Sequence, residues 1–94
     1  MIPIHPGRIL RREMAARELS ANALALALRT PSGRITDILN GKRGISPETA
    51  MRLARYFGNS ARFWLNLQTN YELSAAEAKL GERIASEVAP AVRS

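Results

Sequence analysis

Apolar residues recur at helical spacing along the whole chain. Ala, Leu and Arg dominate and runs of β-branched residues are absent, so the pattern predicts helices and no strands. Ile9, Leu10 and Met14 share one face of a first helix over 6–16, with Pro6 in its first turn. Ser20 caps a second helix that reaches about Leu28 and points Leu24, Ala25 and Leu28 inward. Thr30 and Pro31 restart the chain, as cap and first helical residue. A third helix then runs to Leu39 or Asn40, with Ile35, Ile38 and Leu39 on its inner face. Asn40-Gly41 marks its end, because glycine takes the left-handed conformation without a Cβ penalty.

Ser46-Pro47-Glu48 starts a fourth helix to Phe57, burying Ala50, Leu53, Ala54 and Phe57, and Gly58 stops it. Ser60 opens a fifth helix carrying Phe63, Trp64, Leu65, Leu67 and Tyr71. Ser74-Ala-Ala-Glu77 has the form of a capping box and predicts a sixth, striped by Leu80, Ile84 and Val88. Pro90 ends that helix, leaving 91–94 as a frayed tail. The expected architecture is all-α, a compact bundle of five to six helices.

The chain has 94 residues, which suits one domain spanning 1–94. Cysteine is absent and His5 is the single histidine, so neither a disulfide framework nor a metal cluster is expected, and no cofactor is implied. His5 reads as a helix-start residue. No apolar run approaches a membrane span and no signal-peptide pattern opens the chain, so the expected location is the cytoplasm, in association with the nucleoid. The net charge of +6 is uneven. Residues 1–59 hold ten cations against four anions, while 60–94 hold four of each. A basic first two-thirds favours a polyanion partner, nucleic acid before membrane.

Two short helices separated by Arg29-Thr30 have the grammar of a helix-turn-helix, whose second helix enters the DNA major groove. With Ile35, Ile38 and Leu39 inward, the outer face is Ser32, Gly33, Arg34, Thr36, Asp37 and Asn40. Arg34 suits bidentate pairing with guanine. Ser32 and Thr36 donate or accept, and Thr36 also offers a methyl to thymine. Asp37 is the one anion there, placed to pair with Arg34 or to accept from a cytosine amine. Gly33 lets backbone approach the groove. The stretch ITDILNGKRGIS, residues 35–46, then gains a rationale. The helix stops once its reading face is used, Asn40 reaches a phosphate, and Lys42 and Arg43 sit on a loop beside the same backbone.

HPGRIL at 5–10, ALA at 23–25, ITDILNGKRGIS, the ETAMRLARYFG run and FWLNLQ at 63–68 together resemble the HigA-type antitoxins, part of the Cro/CI-like (XRE) helix-turn-helix group. The resemblance spans about residues 5–89. It implies a lambda-repressor-like fold and membership of a type II toxin–antitoxin module. In such a module the antitoxin silences a small mRNA-cleaving toxin and represses its own operon as a dimer. By matching position it implies groove contacts from Ser32, Gly33 and Arg34, phosphate contacts from Asn22 and Asn40, and a base or backbone contact from Arg43. The turn residues Arg29 and Thr30 complete the DNA-facing set. Three residues depart from the family pattern. Arg29 stands where glycine is usual, Leu26 where a polar residue is usual, and Arg8 where an acid is common.

Residues 6–59 therefore form the expected DNA-binding core, and 60–94 the part given to packing and dimerisation. Phe63 and Leu67 share one side of the fifth helix, while Trp64 and Tyr71 share another. These four are expected to serve partly as core and partly as homodimer contact. A dimer would set two reading helices about 34 Å apart on a palindromic operator. Glu77, Glu82 and Glu87 are spread around their helix as solvated charges. The toxin surface stays open between the first helix, with Arg8, Arg11 and Arg12, and the C-terminal segment. No folding-upon-binding tail is expected. A stand-alone XRE-type regulator and a protein-interaction module remain alternatives. No nucleophile–base pair or phosphate loop points to an enzyme.

Overall fold

The structure, a computed structural model, describes residues 4–92. Five helices follow one another: α1 (Pro6–Ala16), α2 (Ala21–Leu28), α3 (Ser32–Leu39), α4 (Pro47–Phe57) and α5 (Ala61–Glu87). Their starts are set locally. His5 caps α1, its side chain accepting from Gly7 N–H at 2.9 Å. Ser20, Ser46 and Ser60 cap α2, α4 and α5 by accepting from the backbone N–H three residues on. Gly58 ends α4 and Gly41 follows α3, both at positive φ, as the glycine signals predict. Arg29 ends α2 in the left-handed region (φ 59°), where its Cβ costs about 1 kcal/mol. Glu18 makes the same turn after α1 (φ 53°) with no glycine to announce it.

Leu10, Met14, Leu24, Ala25, Leu28, Ile35, Ile38, Ile45, Ala50, Leu53 and Trp64 form one core, to which all five helices contribute. Ile9, Leu39 and Phe57, expected inside, pack against it half-buried. α1 meets α3 backbone to backbone: a Cβ on Gly7 would collide with the carbonyl of Ile38. Arg52 ties α4 to α2, donating to the Leu28 carbonyl at 3.0 Å and pairing with Glu48 at 3.1 Å.

Two elements differ from the sequence reading. Thr30 does not cap α3. Pro31 occupies the cap position without a side-chain hydrogen bond, and the hydroxyl oxygen of Thr30 is buried without a partner among the described residues. The predicted fifth and sixth helices are one helix of 27 residues. A capping box needs a non-helical residue at its Ser, and nothing before Ser74 breaks the chain. Glu72 and Leu73 before Ser74 and the run from Ala75 to Leu80 after it are good helix formers, and Gly81 lies inside the helix at about 1 kcal/mol relative to alanine. At 1.5 Å per residue α5 is about 40 Å long, which gives the molecule its 55 Å long axis against 25 and 22 Å. The helix ends at Glu87, as Pro90 disfavours helical backbone before it. Ala91 and Val92 are non-helical, while Arg93 and Ser94 of the expected tail lie outside the described residues.

Candidate nucleic-acid interface

α2 and α3 are eight residues each, joined by Arg29, Thr30 and Pro31. The left-handed Arg29 folds the turn tightly, with its own N–H on the Leu26 carbonyl and that of Thr30 on the Ala25 carbonyl. Ile35 and Ile38 are buried, which fixes the orientation of α3 and leaves Ser32, Gly33, Thr36 and Asn40 exposed. Asn22 is exposed in the first turn of α2, and Arg29 is exposed in the turn. A Cβ on Gly33 would meet nothing within 4 Å. Without a side-chain cap at Pro31, the first backbone N–H groups of α3 carry a partial positive charge and no side-chain acceptor.

Arg34 and Asp37 are half-buried and form no ion pair among the described residues. The Arg34 Nε is enclosed without a partner among the described residues, so part of the guanidinium lies against the protein. The Thr36 hydroxyl donates back to the Ser32 carbonyl at 3.2 Å, which leaves its lone pairs and methyl for a ligand. Thr30 does not join this surface through its hydroxyl, which faces inward.

After Gly41 the loop winds onto the end of α3. The N–H groups of Lys42 and Arg43 both reach the Asp37 carbonyl, at 2.8 and 3.2 Å. Both side chains are exposed, and neither enters an ion pair among the described residues. The surface therefore joins polar side chains at a helix N-terminus to two free cations on an ordered loop, a combination suited to base edges flanked by phosphates.

The four residues expected at a dimer contact divide. Trp64 is fully buried in its own core, and its Nε1 donates to Asn59 Oδ1 at 2.8 Å. It has no surface for a partner, a correction with a simple cause: the indole fills the gap between α4 and α5, edge-on to Phe63 and tilted against Phe57. Phe63 is 41% exposed. Leu67 is half-buried against the core, and Tyr71 is half-buried edge-on to His5, with ring centres 4.8 Å apart. Beyond them Leu73 and Ile84 on the outer half of α5, and Val88 just past its end, are exposed. Leu26 is 70% exposed on α2, in keeping with its place at a polar position of the family pattern.

Sequence reasoning missed Gln68. Its Oε1 accepts from Ile45 N–H at 2.8 Å and so fastens the basic loop to α5. Only its place in the FWLNLQ string singled it out.

Fold and surface define a helix-turn-helix DNA-binding domain. The helix-turn-helix family model matches residues 10–64. Virulence-associated protein I of Dichelobacter nodosus is 53% identical over 78 residues, covering 82% of this chain and 72% of that protein. An addiction module antidote protein of the HigA family from Coxiella burnetii superposes with a TM-score of 0.94 at 49% identity, covering 97% of this chain and all of that one. The Pseudomonas aeruginosa antitoxin HigA, solved with the higBA promoter, superposes with a TM-score of 0.92 at 46% identity over 96% of this chain and 99% of its own. The chain belongs to the helix-turn-helix family and, within it, to the HigA antitoxins.

Proposed function

We propose that this protein is an operator-binding antitoxin. As a homodimer in the cytoplasm it represses the operon that encodes it, and it neutralises a cognate mRNA-cleaving toxin. The observation that carries the reading is the open face of α3, with Ser32, Gly33 and Thr36 exposed beside the free cations Lys42 and Arg43. The promoter complex of the similar P. aeruginosa HigA supports it. Ser32, Gly33 and Arg34 read base edges. Asn22, Asn40, Lys42 and Arg43 hold phosphate, with Arg29 adding charge beside them. The 6–59 region reads DNA. The segment over 60–94 brings two copies together through Phe63, Leu67, Tyr71 and the exposed apolar residues further along α5.

Binding to the DNA upstream of the protein's own coding region tests the reading. Affinity should fall steeply with salt, by about 0.9 log units per log unit of salt for each phosphate contact. Arg34→Ala should lose about 1–3 kcal/mol of discrimination between that DNA and random sequence. Equal loss on both DNAs assigns Arg34 to phosphate instead. Co-purification with the product of the neighbouring gene separates an antitoxin from a stand-alone regulator.

A further inference from the structure

The loop bearing Lys42 and Arg43 is fixed at both ends by backbone N–H groups. At the near end, Lys42 and Arg43 N–H bind the Asp37 carbonyl of α3. At the far end, Ile45 N–H binds the side chain of Gln68, 23 residues along the chain on α5. The fit at that end is tight. A Cβ on Gly44 would stand 2.6 Å from Gln68 Nε2 and 2.8 Å from its Cδ and Oε1. Gly44 has no positive φ, so what it supplies is room for the Gln68 amide rather than an unusual backbone. On the same side of α5, Tyr71, one turn beyond Gln68, packs edge-on to His5, with ring centres 4.8 Å apart.

We infer that Gln68 is a positioning residue of the DNA interface: its amide sets where the loop over 42–45 rests on α5, and hence where Lys42 and Arg43 meet the phosphate backbone. The inference rests on the operator-binding reading above. Ile45 is buried, so without the Gln68 acceptor its N–H loses its partner and the loop must move to recover one. Two cations on a loosened loop then lose ordering entropy on binding DNA that the anchored loop has already lost in folding. Gln68 itself touches no phosphate.

The test uses the full chain and the DNA upstream of its coding region, with affinity measured by fluorescence anisotropy across a salt series. Gln68→Met keeps the length of the side chain and removes the acceptor. It should bind on the order of tenfold more weakly, with a salt slope shallower by about 1–2. Gln68→Glu still offers an oxygen to Ile45 N–H and should keep the wild-type slope. Gly44→Ala pushes the amide away without substituting Gln68 and should reproduce the Gln68→Met loss. In a Lys42→Ala, Arg43→Ala background, Gln68→Met should change affinity less than about twofold, because the groups it positions are gone.

Wild-type affinity and slope in Gln68→Met overturn the inference. So does an undiminished loss in the cation-free background, which assigns Gln68 to stability alone. Failure of both Gln68→Met and Gly44→Ala to fold, seen by circular dichroism, has the same meaning. A wild-type protein that shows no preference for its upstream DNA over random DNA sinks the operator reading itself, whereas wild-type binding matched by Gln68→Met sinks only the role of Gln68.

Discussion

The body of the molecule and the outer half of α5 are built on opposite terms. In the body, four helices of 8 to 11 residues, most of whose ends are marked by a side-chain cap or a glycine, bury their faces in one core. The outer half of α5 has no stop signal until Pro90, and it leaves Leu73 and Ile84 exposed. Short helices are marginal alone and take their stability from packing. The outer half of α5 is continuous with a packed half and extends it without burying much. The lesson is that the DNA-reading geometry and the core are one object, while the projecting helix is available for other contacts.

The sharpest way to break this contrast is to truncate one apolar side chain in each region. Trp64→Ala should cost about 3–5 kcal/mol of unfolding free energy in a denaturant titration. Ile84→Ala should cost less than about 0.5 kcal/mol at high dilution. A loss at Ile84 that grows with protein concentration would place that residue in a dimer contact rather than on free surface. Next in size is Gly7→Ala, where the new methyl meets the carbonyl of Ile38. It should destabilise by about 1–3 kcal/mol, read from the same titration.

A smaller pair compares two serines of identical type. Ser20→Ala removes the acceptor for Ala23 N–H and should cost about 1 kcal/mol. Ser74→Ala, inside α5, should be neutral or slightly stabilising, since alanine is the better helix former. If Ser74→Ala cost as much as Ser20→Ala, a break in α5 at that point would be indicated. The smallest effect is the pH response of His5. Burial pushes the imidazole below its ordinary value, and the backbone interaction with Arg43 opposes that shift. The unfolded chain therefore takes up the proton first. Stability should rise with pH from the depressed folded value to about 6.5 and stay level above it. His5→Asn keeps a capping side chain that does not titrate, so thermal midpoints across that window should flatten.

Much of this fold was legible because its signals are local. Ser20, Ser46, Ser60, Gly41 and Gly58 act where their residue types say they should, and the inner faces of α2 and α3 follow from spacing alone. The misreadings have a common origin in contacts distant along the chain or in competition between neighbours. Ser74 and Glu77 match a capping box in composition, but good helix formers on both sides keep the backbone helical. Thr30 has a capping side chain, yet the turn set by Arg29 directs its hydroxyl inward. Trp64 shares a helix side with Tyr71, but only the packed position of α4 shows that its indole is enclosed. At the candidate interface, the outer face of α3 was readable from periodicity. The anchoring of Lys42 and Arg43 was not, because Gln68 lies on another helix.

Gly33 carries a consequence of its own. It sits inside a helix, at ordinary φ, with open space where a side chain would go. Alanine fits there without disturbing a neighbour and would strengthen α3 by roughly 1 kcal/mol. The fold has no use for the vacancy, so on the operator-binding reading proposed above, preference for a new target sequence can be written at this spot by substitution, while the frame beneath stays as it is.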